Sequence, residues 1–289
     1  MKSTRVAIVT GASRGLGKGI ALALGSHGWT VYVTGRSAGR ATEADLGGTI
    51  EEAAAAVTEN GGHGVGVACD HRDDEDVAAV FARVREDEGH LDLLVNNAFM
   101  LSKSFFDTVP FWERPLGEWD MVDVGLRSHY VATVFGAQMM VPRQAGLIVH
   151  TSSFGARYYA ASVAYGIGKA GVDRLARDAG TELAPFGVTS LSLWPGLMRT
   201  ERTLANFAKD PQILGGEMSL SISESPEFSG HVIAALADDP DVARHNGRSL
   251  VGAEIAEHYG VTDVDGSQPP SLRRVYGGGP LDEDGNEPG

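Results

Sequence analysis

The feature that constrains this chain most is an alternation. Short, continuous apolar runs rich in β-branched residues are separated by longer stretches of helical periodicity, and the order repeats through most of the sequence. Strand patterns fall at 6–9, 30–34, 64–68, 91–95, 147–150, 188–193 and 249–251, and helical patterns at 16–27, 49–59, 74–86, 119–140, 163–184 and 226–237. A strand apolar at every position, rather than every second one, is buried on both faces, as in a parallel sheet covered by helices. Strict β-α alternation with right-handed crossovers therefore predicts one doubly wound α/β domain.

Two segments break the rhythm. Residues 198–225 follow the sixth strand and are polar, with weak periodicity; they read either as a lid over a substrate or as a plain surface excursion. In a doubly wound fold they sit above the carboxyl ends of the strands, where ligands bind. Residues 277–289 are rich in glycine, proline and acid, so the folded domain is expected to span 1–276, followed by a disordered acidic tail. A formal charge of −14 argues against nucleic-acid and anionic-membrane partners, which need a basic face. Cys69 is the only cysteine, which rules out an intrachain disulfide and a cysteine-rich zinc site, and fits a reducing cytoplasm. No run of about 18 apolar residues is present to span a membrane.

The first strand pattern leads into Gly11-Ala12-Ser13-Arg14-Gly15-Leu16-Gly17 and then a helix. Glycines let the backbone approach a diphosphate, whose charge is favoured by the N–H groups and dipole of a helix N-terminus. The second strand pattern ends at Gly35-Arg36, where an NAD-preferring site usually has an acid for the ribose 2′-hydroxyl. Arg36, with Arg14 in the loop, offers donors to a 2′-phosphate instead. Further on, Tyr165 and Lys169 stand at i and i+4, on one face of a predicted helix. An ammonium beside a phenol stabilises the phenolate, making the tyrosine a usable proton carrier near neutral pH.

The Gly-x-x-x-Gly-x-Gly spacing after Thr10, the Asn96-Asn97-Ala98 run, and Tyr-x-x-x-Lys downstream of Thr151-Ser152-Ser153 together resemble the short-chain dehydrogenase/reductase family across nearly the whole chain. The stretches beginning at Asp123, Ser192 and Tyr259 resemble its branch called dehydrogenase/reductase family member one. The resemblance implies a single-domain Rossmann-type parallel sheet of about seven strands, order 3-2-1-4-5-6-7. It implies NADP(H) as cofactor, held by Gly11, Ser13, Arg14, Gly15, Leu16, Gly17 and Arg36. Asp70 would meet the adenine amino group, Asn97 and Ala98 the adenosine side, and Tyr165 and Lys169 the nicotinamide ribose. Pro195, Gly196 and Thr200 would meet the carboxamide. Ser153, Tyr165 and Lys169 would be catalytic, interconverting a small-molecule carbonyl and a secondary alcohol without a metal. Aligning through the strand selects Ser153; counting back from Tyr165 selects Ser152, and the strand alignment is preferred. The family commonly forms homodimers or homotetramers through its long fourth and fifth helices.

Two positions depart from the family pattern. Phe99 stands where Asn-Asn-Ala-Gly has its glycine, and Gly125 where an asparagine usually supports a helix kink and, through its carbonyl, a water beside the lysine. Gly125 keeps the carbonyl and loses the side chain. His129 and Tyr130 are assigned to helix packing or dimer contact, and Phe105, Phe106, Phe111, Trp112, Tyr158, Tyr159 and Met198 to the pocket wall. Reduction of a 3-oxoacyl thioester and a cofactor-binding redox regulator are the alternatives; the Tyr165–Lys169 pair counts against the second.

Overall fold

The computed structural model of the protein describes residues 4–39, 46–213 and 219–273. The expected tail at 277–289 lies outside them. The chain runs β1 (Val6–Val9), α1 (Gly15–Ser26), β2 (Thr30–Gly35), α2 (Ile50–Glu59), β3 (His63–Ala68), α3 (Asp74–Asp87) and β4 (Leu93–Asn96). It continues through α4 (Asp120–Val122), α5 (Ser128–Met140), β5 (Gly146–Thr151), α6 (Val163–Leu183) and β6 (Val188–Trp194). The last elements are α7 (Glu201–Lys209), α8 (Pro226–Asp238), β7 (Ser249–Val251) and α9 (Gly252–Tyr259).

The strands form one seven-stranded sheet in the order β3-β2-β1-β4-β5-β6-β7, parallel at every pairing. Every residue of β1, β2, β4 and β6 is buried, which is why β1 reads as a continuous apolar run, while β6 also buries Thr189, Ser190 and Ser192. The edge strand β3 is partly open to solvent along its length. Side-chain alternation divides the core in two. Ala7, Val9, Val31 and Val33 meet Ile20 and Leu24 of α1 and Phe228 and Val232 of α8 on one face. Val6, Ile8 and Tyr32 meet Phe81 of α3, Met140 of α5 and Ile148 on the other.

Two expectations need correction. The single helix expected over 119–140 is broken: α4 is one turn, Asp123–Arg127 forms a π-helical turn, and α5 follows. Gly125 sits inside that turn, where its low helix propensity makes the wider loop inexpensive. The Ser128 hydroxyl donates to the Val124 carbonyl at 2.6 Å and stabilises it. The segment 198–225, which looked irregular, contains α7. Its base is a short parallel bridge between Met198 and Glu224, with Glu224 N–H on the Leu197 carbonyl and Arg199 N–H on the Glu224 carbonyl, both 2.8 Å. No helix among the described residues is long and apolar enough to cross a membrane.

Candidate active site

A cavity of about 480 Å³ opens above the carboxyl ends of β1, β4, β5 and β6. Every residue singled out above for cofactor or catalysis lines it. On the β1 side the wall is mostly backbone. Gly11 has φ +63°, and a Cβ there would fall 2.8 Å from the Ala98 Cα; at Gly17 it would fall 2.5 Å from the Gly11 oxygen and from Asn97 Nδ2. Only glycine permits this packing of loop, helix and neighbouring strand. The Thr10 hydroxyl accepts from the N–H groups of Asn97 (2.8 Å) and Ala98 (2.9 Å). The Asn97 amide donates to the carbonyls of Thr10 (2.9 Å) and Gly11 (3.1 Å), so its side chain braces the loop.

The loop ends at the N-terminus of α1, where the Gly15 N–H donates to a carboxylate oxygen of Glu201 at 3.0 Å. A negative group already sits on this donor, so the residues present fit an anionic ligand such as a diphosphate. Arg14 and the exposed Arg36 stand at the rim, with Ser13 and Leu16 between loop and helix. Arg14 also reaches the Gly47 carbonyl at 3.4 Å. Asp70 caps the turn after β3, accepting from the Arg72 N–H at 3.1 Å while lining the cavity. Beside it lies His71, which the sequence reading passed over. Its Nε2 meets the Thr34 hydroxyl at 2.9 Å, and burial lowers its pKa to about 4, leaving it neutral.

The opposite wall is made of side chains. Ser162 caps α6, accepting from the Tyr165 N–H at 3.3 Å, and so fixes where the helix starts. Tyr165 and Lys169 then share the face turned to the cavity. Ser153 Oγ lies 2.8 Å from the Tyr165 hydroxyl. Ser152 is buried, its hydroxyl donating to the Lys169 carbonyl at 3.2 Å. Of the two serines, Ser153 is the one that meets the tyrosine. Lys169 Nζ donates to the Thr151 carbonyl at 3.0 Å, and burial pulls its pKa down to about 8. Asp173, one turn further along α6, opposes that drop. Both its carboxylate oxygens lie 3.1 Å from the Trp194 indole N–H, and burial raises its own pKa.

Pro195 and Gly196 follow β6. Gly196 packs against Glu224, a carboxyl pushed by burial up to about 7; a Cβ on the glycine would fall 2.7 Å from one of its oxygens. Thr200 lines the cavity, but its hydroxyl also caps α7, accepting from the Thr203 N–H at 3.2 Å. The aromatic expectations divide. Phe105, Phe106 and Met198 line the cavity; Tyr158 does not, and Phe111, Trp112 and Tyr159 face solvent. Arg114 explains the outward turn. Buried, it bonds to the carbonyls of Ser104, Asp107, Val109 and Ala161 and pairs with Glu118 at 2.8 Å, holding the loop from inside. Sequence reasoning missed Asp173, Glu201 and Glu224: Glu201 meets Gly15 from far away in the chain, and burial brings out Asp173, held by the Trp194 indole, and Glu224 only in the fold.

Comparison with known proteins agrees with this geometry. Residues 5–211 match the family model described as short chain dehydrogenase. Over 271 residues the chain is 43% identical to dehydrogenase/reductase SDR family member 1 of Mus musculus, covering 91% of this chain and 84% of that protein. It is 30% identical over 254 residues to the 3-oxoacyl-(acyl-carrier-protein) reductase of Staphylococcus aureus, covering 81% of this chain and 97% of the relative. The crystal structure of a short chain dehydrogenase from Mycobacterium thermoresistibile matches it with a TM-score of 0.76 at 27% identity, over 92% of each chain. On fold, site geometry and likeness together, the chain belongs to the short-chain dehydrogenase/reductase family of nicotinamide-dependent oxidoreductases.

Proposed function

We propose that the protein is an NADP(H)-dependent oxidoreductase that interconverts a carbonyl and a secondary alcohol, with Tyr165 as acid and base. The observation that carries this reading is the 2.8 Å contact between Ser153 Oγ and the Tyr165 hydroxyl, with buried Lys169 one helical turn away. Two hydroxyls so placed can hold one carbonyl oxygen between them. Bound reduced nicotinamide would supply the hydride. Tyr165 gives its phenolic proton to the oxygen as the carbonyl carbon is reduced, and the Lys169 charge stabilises the phenolate left behind. In the oxidative direction the phenolate takes the alcohol proton. Arg36 and Arg14, with Gly35 in place of an acid, favour a 2′-phosphate on the cofactor ribose.

The cavity wall supports a lipophilic substrate. Phe99 and Phe105 both meet the Tyr165 ring edge-to-face, with centroids 5.9 Å and 5.3 Å away, and Phe106, Met198 and Phe207 continue the apolar lining. A lipophilic ketone or aldehyde fits this surface better than a polyol or an acid. Segment 198–225, which contributes Met198, Glu201 and Phe207 to the wall, acts as the lid of the domain. The protein works in the cytoplasm as a homodimer or homotetramer through α5 and α6, where Tyr130, Val134 and Ile167 are exposed. A thioester substrate takes support from the Staphylococcus aureus relative, whose name records that reaction.

A panel of ketones, aldehydes and 3-oxoacyl thioesters, offered with NADPH and with NADH, tests the reading. NADPH with lipophilic ketones should give the fastest turnover. Tyr165→Phe should lose activity by about a thousandfold, the contribution of a general acid. Equal turnover by that variant would exclude the tyrosine as proton carrier.

A further inference from the structure

Phe99 connects the polar pair to a helix that neither residue belongs to. It follows β4, and its ring lies against Gly125 in the π turn. A Cβ on Gly125 would fall 2.5 Å from Phe99 Cδ2 and 2.8 Å from Cε2. Gly125 is therefore a seat that stays free of a side chain as long as the ring occupies it. From this seat the ring touches both members of the pair. Lys169 Nζ lies 4.8 Å from its centroid, nearer than the 5.9 Å to the Tyr165 ring. Tyr165 meets it edge-to-face at an interplanar angle of 79°. A cation over an aromatic face is attracted by the ring quadrupole, more strongly where water is excluded.

We infer that Phe99, seated on Gly125, is a positioning residue that keeps Lys169 charged and Tyr165 aimed at Ser153. The inference rests on the acid–base reading of Tyr165. The groups around Lys169 show why a ring face matters. On its own helix the opposing charge is Asp173, itself engaged by the Trp194 indole. From β5 comes the neutral carbonyl of Thr151, and the buried His150 is held uncharged. From α5 comes His129, buried and neutral, its Nε2–H on the Ala98 carbonyl at 3.1 Å. Among the described residues, one carboxylate, one carbonyl, the Phe99 face and the more distant Tyr165 ring stand against the burial of the ammonium. Loss of that face moves the lysine toward its neutral form and leaves the tyrosine phenolate less stabilised.

Titration of the Lys169 ε-carbon resonance, assigned by its loss in Lys169→Met, tests this without turnover. Wild type and Phe99→Tyr keep a ring face and should titrate alike. Phe99→Leu keeps apolar bulk without the face and should titrate lower by about 0.5 to 1 pH unit. Alcohol oxidation, which needs the phenolate, should show its acid limb moved upward in the same variant. Gly125→Ala, which pushes the ring off its seat, should lower the lysine titration as well and add little in the Phe99→Leu background. An unchanged titration in both Phe99→Leu and Gly125→Ala overturns the inference. If the titration shifts while Tyr165→Phe turns over normally, the hold of Phe99 on Lys169 is supported and only the role of the tyrosine falls.

Discussion

The two walls of the cleft are made of different material. On the β1 side, recognition is built from backbone: Gly11 and Gly17 let the loop, α1 and the neighbouring strand pack where a Cβ would collide, Gly15 presents its N–H to a negative group, and Asn97 braces the loop from the end of β4. On the α6 side it is built from side chains that meet only in the folded state, Phe99 from the end of β4, Gly125 from the π turn, and Ser153, Tyr165 and Lys169 from β5 and α6. A backbone wall takes any dinucleotide diphosphate, since every peptide offers the same donor. Discrimination must come from the few side chains at its rim. The side-chain wall is the reverse: almost every residue there changes the chemistry, with Lys169 buried behind the half-buried Ser153 and Tyr165.

The sharpest way to break this contrast is at the rim. Arg36→Asp places a carboxylate where a 2′-phosphate is expected and leaves the glycine loop intact. The ratio of kcat/KM for NADPH over NADH should fall by about a hundredfold, the scale of one or two lost charge-assisted hydrogen bonds. The kcat with the better cofactor should stay within a few-fold of wild type. A preference left intact would move the phosphate site off Arg36.

The buried side of the cleft should instead reveal itself through pH. Glu224 is 1% exposed, accepts from the Ser229 hydroxyl at 3.2 Å, and has its pKa raised by burial from 4.5 to about 7. The folded state thus holds this proton more tightly than the unfolded chain does. Its contribution to stability is complete below about pH 4.5 and is lost as pH rises through about 7. Wild type should therefore lose about 2 kcal/mol from this group between pH 5 and pH 8, and Glu224→Gln should not. Denaturant unfolding of both proteins at the two pH values measures the difference. Equal slopes would mean that Glu224 is ionised in the folded protein and that its surroundings are more polar than they look.

The same contrast decides how much could be read from sequence. The sheet was legible because its inner strands are buried on both faces, so short apolar runs stand out between the helical patterns. The glycine loop was legible because its function depends on local backbone. Tyr165 and Lys169 were legible because one helix sets their spacing. The broken helix was not: Trp119 to Met140 keeps helical periodicity through a π turn, which widens the backbone without interrupting the pattern. Nor was the Phe99–Gly125 contact, though both residues stood out as departures. Only the fold shows that one ring fills the space the other residue leaves empty. Phe111 and Trp112 were misplaced because the buried Arg114 that turns their loop outward looks, in sequence, like any surface arginine.

The smallest expected effect lies where the two walls touch. Glu201, the first residue of α7, spans the cleft and puts its carboxylate on the Gly15 N–H at 3.0 Å. That donor belongs to the helix end where the cofactor diphosphate is expected, so carboxylate and diphosphate compete for it. The carboxylate is exposed, and its attraction to the helix end is screened, which limits the effect to a fraction of a kcal/mol up to about 1. Glu201→Gln keeps an acceptor oxygen and removes the charge. NADPH should then bind about two- to fivefold more tightly in a fluorescence titration at low salt, and the gain should shrink as salt is added. Weaker binding by the variant would reverse the assignment, making Glu201 a strut that holds α7 in place over the bound cofactor instead of a competitor for its site.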